Sequence, residues 1–107
     1  MIDQVLIEFV EKIKATFPQE IVSILFYGSR ARADHRKDSD YDILLILKNR
    51  DKTTREKISE ICVQMLEERE AFLSVIIYSK EEWHKSQDFP FGKNVQREGI
   101  QLWKDAA

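Results

Sequence analysis

Apolar residues fall into several distinct rhythms along the chain, and each rhythm predicts an element. Val5, Leu6, Phe9, Val10 and Ile13 recur at helical spacing, with Phe17 one turn further and Pro18 behind it. This predicts an opening amphipathic helix that Pro18 ends. Ile21 to Tyr27 and Tyr41 to Leu47 are mostly apolar runs of strand length, closed by Gly28 and Lys48, and read as two buried strands. Thr53 with Glu56 three residues on has the spacing of a capping box, and Ile58, Ile61, Cys62, Met65 and Leu66 supply the apolar stripe of a helix running to about Glu70. Phe72 to Tyr78 is a third strand. Ser79 and Glu82 repeat the capping-box spacing and open a short helix through Trp83, Phe91 to Glu98 forms a last helix closed by Gly99, and Ile100 to Trp103 is short and extended.

The predicted order is therefore α, β, β, α, β, α, α, β. Ser29 to Asp40 is too short for a parallel crossover with a full helix, so the first two strands are either antiparallel neighbours or joined by a compact turn of helix. A mixed β-sheet with helices packed on it follows, an α/β (α+β) fold. Gly28, Gly92, Gly99, Pro18 and Pro90 stand singly, with no repeat and no linker-like tract. Residues 1–107 read as a single domain, which at this length buries somewhat over ~60% of its unfolded surface.

Charge narrows the function. Seventeen Lys and Arg against nineteen Asp and Glu give a net charge of −2, so no global positive field gathers nucleic acid, and any phosphate must be held locally. Cys62 is the sole cysteine; it excludes an intramolecular disulfide framework, points to a reducing compartment, and on its helix face reads as a small buried hydrophobe. Asp3 and Glu8 interrupt the apolar N-terminus, unlike a signal or transit peptide, and no apolar run reaches the ~18 residues of a membrane span. The expected setting is cytoplasmic.

The chemistry concentrates between Gly28 and Asp42. Gly28 ends a buried strand where the backbone must turn sharply or approach a ligand closely, and Ser29 can cap a short helical turn from Arg30 to Asp34. N–H groups at such a helix start, together with a hydroxyl, form an anion seat. Arg30, Arg32, Arg36 and Lys37 add four basic residues within eight positions, and His35 lies among them within reach of a phosphate. Asp40 and Asp42 bracket Tyr41 at the start of the next strand, where i and i+2 share a face about 6.6 Å apart at Cα, while Ile43, Leu45 and Leu47 face the other way. Two such carboxylates can converge on Mg²⁺, with water and substrate phosphates completing its shell. An anion seat and a carboxylate clamp on adjacent strands describe a site for a nucleoside triphosphate. His84 reads as a surface residue, and Trp83 and Trp103 as core or interface anchors.

Gly28-Ser29-Arg30-Ala31-Arg32, followed after six residues by Ser39-Asp40-Tyr41-Asp42, so that ten residues separate Gly28-Ser29 from Asp40-Tyr41-Asp42, resembles the signature of the DNA polymerase β-like nucleotidyltransferase superfamily. The match is best to its minimal branch of small MNT or MntA-like proteins, whose pattern Gly-Ser-x-Ala-Arg and Ser-Asp-x-Asp it fits residue for residue. The expected element order covers about residues 1–80, and Arg97-Glu98-Gly99-Ile100 is similar to the ending of one subgroup. The resemblance implies the polymerase β-like fold and transfer of a nucleoside monophosphate, AMP from ATP, to an acceptor hydroxyl. It assigns Gly28 and Ser29 to the nucleotide phosphates and Asp40 and Asp42 to Mg²⁺ and catalysis, and the basic cluster adds Arg30 and Arg36 as nucleotide contacts. A chain this small has no acceptor-holding domain, and the resemblance supplies the acceptor as a helical HEPN-type partner protein in a toxin–antitoxin pair.

Two departures stand out. Ala33 occupies the place of a second glycine. More important, relatives carry a third acidic residue on the strand after the long helix, and Ala71 to Ile77 contains none. Ser74 is the expected equivalent position, with Phe72 on the same face and Glu70 the nearest acid. Either two carboxylates and a water suffice, or Glu70 swings in, or the chain is a binding module of the same fold without turnover.

Overall fold

A computed structural model describes residues 3–32 and 40–105. The elements are α1 (Gln4–Thr16), β1 (Ile21–Tyr27), β2 (Tyr41–Leu47), α2 (Lys52–Arg69), β3 (Leu73–Ser79), α3 (Lys80–Ser86), α4 (Pro90–Glu98) and β4 (Ile100–Lys104). The strands form one mixed sheet in the order β3-β2-β1-β4. β1 runs antiparallel to β2 and to β4, whereas β2 and β3 are parallel. Of the two expected relations between the first two strands, the antiparallel one is realised.

Alternation along β2 divides the core. Ile43, Leu45 and Leu47 pack beneath α1 and α2 with Leu6, Phe9, Ile13, Ile58 and Met65. Leu44 and Ile46 face the opposite side, against Val95 of α4 with Trp83 and Phe91 around them. Both faces of β2 are thus covered, as its continuous apolar run requires.

The caps explain where the sequence reading of helix ends succeeded and where it shifted. Asp3 accepts from the Leu6 N–H at 3.2 Å and starts α1. α2 begins at Lys52 rather than after Thr53, because the Asp51 carboxylate accepts from both the N–H (2.8 Å) and the hydroxyl (3.1 Å) of Thr54; a carboxylate at the N-cap satisfies the first-turn donors directly. The Ser79–Glu82 capping box forms as expected, with the Glu82 N–H donating to Ser79 Oγ at 3.1 Å and the Ser79 N–H to Glu82 Oε1 at 2.9 Å. The helix it opens runs past Trp83 to Ser86. Cys62 lies half-buried against the larger core, and burial raises its thiol pKa, in keeping with a packing role.

Candidate nucleotide and metal site

Gly28 leaves β1 with φ +83°, a conformation that side chains rarely adopt. A β-carbon there would lie 3.0 Å from Cγ and 3.1 Å from Cβ of Asp42, and closer still to its carboxylate oxygen. Glycine is therefore required twice, by the backbone and by the packing of Asp42 onto it. The Arg32 N–H donates to the Gly28 carbonyl at 3.1 Å and closes a single turn that holds the half-buried Ser29 at its start. The remainder of the expected Arg30–Asp34 turn, with His35, Arg36, Lys37, Asp38 and Ser39, lies outside the described residues.

Asp42 pairs with Tyr27 of β1 on one side and with Ser74 of β3 on the other. Strand alternation puts it on the face opposite Ile43, and the exposed Asp40 is offset by two positions on the same face. The Asp42 carboxyl pKa is raised, first by burial and then by the Asp40 charge, with Arg32 pulling it back. A carboxylate whose proton affinity is raised beside a second carboxylate attracts a hard cation. This donor set fits Mg²⁺ held through one or two carboxylates, with its other positions open to water and phosphate oxygens. Among the described residues no group of three His, Cys, Asp or Glu converges for a metal, so two protein carboxylates are what this part of the chain offers.

Ser74 and Phe72 are both exposed, Phe72 at 60%. The parallel register sets Ser74 level with Asp42. Glu70 caps α2 in a left-handed conformation before the strand begins. Arg30, read from the sequence as a nucleotide contact, has its guanidinium 4.1 Å over the ring of Tyr41, a residue of the α1/α2 core. Tyr41 in turn donates its hydroxyl to Asp3 at 2.6 Å, and burial with that bond pushes its pKa up to about 12.

Two residues at the site, Glu98 and Tyr27, were not singled out from the sequence, and Arg32 was read only as part of the basic cluster. Arg32 reaches Glu98 of α4 at 3.0 Å and lies in the field of Asp42. Glu98 thereby ties the end of α4 to the Gly28 turn. Tyr27, beside Asp42, packs edge-on against Phe91 at 5.5 Å, and burial followed by the Asp42 charge pushes its pKa up to about 12. A strand-ending tyrosine next to the glycine was visible in the sequence, but its pairing with Asp42 needed the register. The Arg32–Glu98 pair spans 66 residues and has no local signal.

The family model described as Polymerase beta, Nucleotidyltransferase matches residues 11–105. The chain belongs to that family. It is a minimal nucleotidyltransferase, in which one four-stranded mixed sheet carries the signature residues. A candidate protein adenylyltransferase of Methanocaldococcus jannaschii, MJ0604, is 29% identical over 96 residues, covering 90% of this chain and 92% of its own. Among solved structures, a mutant form of the toxin–antitoxin MntA-HpeT aligns over 99% of this chain and 76% of its own, with a TM-score of 0.64 and 17% identity. A complex of tri-AMPylated Shewanella oneidensis HEPN toxin with MNT antitoxin aligns over 92% and 68%, with a TM-score of 0.55 and 17% identity. At these identities the structural likeness speaks to the fold. No described helix is long and apolar enough to cross a membrane.

Proposed function

We propose that the chain transfers AMP from ATP to a hydroxyl of a partner protein, a helical HEPN-type toxin for which it serves as antitoxin, working as a single domain in the cytoplasm. The observation that carries this reading is the seating of Asp42 on Gly28, with Asp40 on the same face and the Ser29 turn beside it. The adenylyltransferase name of the archaeal relative and the AMPylated toxin beside an MNT antitoxin support the choice of AMP and of acceptor.

In this reading Asp40 and Asp42 hold Mg²⁺, whose charge would offset that of the phosphates as pyrophosphate leaves. Gly28 lets the backbone approach the triphosphate, and the Ser29 hydroxyl and turn N–H groups donate to it. Arg36 adds attraction, and Arg30 acts through Tyr41 by fixing the entry of β2. The acceptor oxygen forms a bond to the α-phosphorus while the bond to the bridging oxygen of pyrophosphate breaks, and the hydroxyl proton passes to water. With a hydroxyl at Ser74 in place of a carboxylate, no described side chain is placed to take that proton directly, so turnover is expected to be slow.

The test is incubation of the chain with Mg²⁺, labelled ATP and the purified product of a neighbouring HEPN-like reading frame. Labelling of the partner that is lost in Asp42→Asn supports the reading. Nucleotide binding without labelling assigns the chain to the second reading, a nucleotide-binding module without turnover, which the absent third carboxylate favours. No binding of any nucleoside triphosphate removes both.

A further inference from the structure

Ala71 and Leu73 both belong to the core beneath α1 and α2. In an extended chain the residues between and beyond them turn the other way, so Phe72 and Ser74 share the face of the sheet that carries Asp42. The backbone of Phe72 is tied to β2, because the Tyr41 N–H donates to its carbonyl at 2.9 Å. The register that sets Ser74 level with Asp42 thereby brings Phe72 level with Asp40, two residues earlier on each strand. Phe72 is 60% exposed. A lone exposed apolar side chain is ordinary on a protein surface; what distinguishes Phe72 is its place on the path of the proposed transfer.

That path crosses three neighbouring strands. β1, β2 and β3 are consecutive in the sheet, about 4.8 Å apart. The Gly28–Ser29 turn, the proposed seat of the triphosphate, leaves the end of β1, Asp42 sits beside it on β2, and Ser74 lies beyond on β3. In phosphoryl transfer the attacking and leaving oxygens lie roughly in line through the phosphorus. With pyrophosphate drawn to the β1 turn and the α-phosphorus over Asp40 and Asp42, the acceptor oxygen has to arrive from the β3 side. The two flanks differ in character. The β1 flank carries the Arg32–Glu98 ion pair at 3.0 Å, whereas Ser74 and Phe72 on the β3 flank are uncharged. They give a phosphate no counter-charge, and the ring gives a protein segment an apolar seat.

We propose that Phe72 anchors the acceptor segment of the protein substrate, an apolar side chain near the acceptor hydroxyl packing on its ring while the hydroxyl is held over Ser74 and Asp42. The inference rests on the transfer reaction proposed above and adds the side from which its acceptor enters. Aromatic residues are enriched in the cores of protein interfaces, and a few residues there carry most of the binding. In this role Phe72 sets the affinity for the protein substrate, and ATP binding is left to the clamp and the Ser29 turn.

The experiment measures AMP transfer from Mg-ATP to the purified product of a neighbouring HEPN-like reading frame over a range of its concentrations. Binding of that protein in the presence of AMP-PNP, and binding of Mg-ATP alone, are measured alongside. Phe72→Ala is expected to raise the KM for the protein substrate about tenfold or more, with kcat little changed, and to weaken its binding by a similar factor. Mg-ATP affinity and melting temperature should stay at wild-type values. Phe72→Tyr, which keeps the ring, should restore the KM. Phe89→Ala removes a ring that is 65% exposed at the opposite end of α4 from Glu98, and should alter neither KM nor binding. Unchanged KM and binding in Phe72→Ala overturn the proposal, as does an equal loss in Phe89→Ala, or a fall in Mg-ATP affinity in place of the rise in KM. If wild type binds the protein without labelling it, the transfer reading fails by itself, and the binding measurement decides Phe72 on its own. A chain that binds no such protein overturns both.

Discussion

Asp42 and Ser74 stand level on the parallel strands β2 and β3, which puts a hydroxyl beside Asp42 at the position proposed for a third carboxylate. Ser74→Asp therefore adds an anion next to the clamp without crossing the core, since Ser74 is exposed. With Mg²⁺ it supplies another ligand and a proton acceptor, and the expected outcome is a rise in AMP transfer of tenfold or more. In chelator three like charges crowd together, so the same variant should melt below wild type and recover with Mg²⁺. Equal melting with and without metal, together with unchanged transfer, would show that position 74 does not share the site.

The raised pKa of Asp42 has a definite consequence for stability. A carboxyl that holds its proton more tightly folded than unfolded costs stability once ionised; the cost begins as pH rises through the ordinary aspartate value of 3.8 and is complete above the folded-state pKa. Asp42→Asn removes that cost. The variant is expected to melt above wild type at pH 7 in chelator, the gain vanishing in strongly acidic buffer. Addition of Mg²⁺ should stabilise wild type and leave the variant behind. Melting curves at several pH values, with and without Mg²⁺, decide the matter, and a variant less stable than wild type at pH 7 would contradict it.

Gly28→Ala meets two obstacles at once, the positive φ and the Asp42 carboxylate. The backbone strain alone costs roughly 1–2 kcal/mol, and displacement of Asp42 adds to it. Denaturant unfolding should report a loss of at least that size, and titration with Mg-ATP a weakening of at least tenfold. Retention of wild-type nucleotide affinity would mean that Asp42 is not held in place by contact with Gly28.

Arg50 donates to Glu82 through two bonds of 2.6 and 2.8 Å, and with the Ser79 cap this holds the Glu82 pKa down to about 2. A depressed carboxyl contributes stability that is present above its unfolded value of 4.5 and is lost as pH falls toward 2. Both side chains are about a third or more exposed, so solvent discounts the contribution. Glu82→Gln should lower the melting temperature by a few degrees at pH 7 and by less as pH approaches 2. A difference that persists undiminished at pH 2 would point to the lost cap geometry rather than the charge.

How much of this was legible in the sequence depended on range. The strands were plain because both faces of β2 are buried from Ile43 to Leu47 and those five residues are all apolar. The proposed metal pair was readable as a pair because Asp40 and Asp42 are two residues apart on an extended chain. Helix starts were less secure where two capping residues compete, and Asp51 displaced Thr53 because its carboxylate reaches both donors of Thr54. Arg30 and Arg32 were beyond sequence reasoning, since a turn has no fixed alternation; Arg30 turns to Tyr41 and Arg32 to Glu98. Ser74 was found by counting along a strand, and its level with Asp42 came only from the parallel register.

The pairing of β1 with β4 bears on how the chain is made. Phe26 meets Ile100, and Ser23 meets Lys104, so β1 acquires one neighbour only after residues 28–99 between them have been synthesised. Until then Ile21–Tyr27 presents an unpaired, strongly apolar edge, closed by one of the longest loops in the fold. Such an intermediate is the form most exposed to wrong pairing with other nascent chains. Removal of residues 100–105 would make that transient edge permanent, and insolubility on synthesis rather than a lowered melting temperature is the form its cost would take.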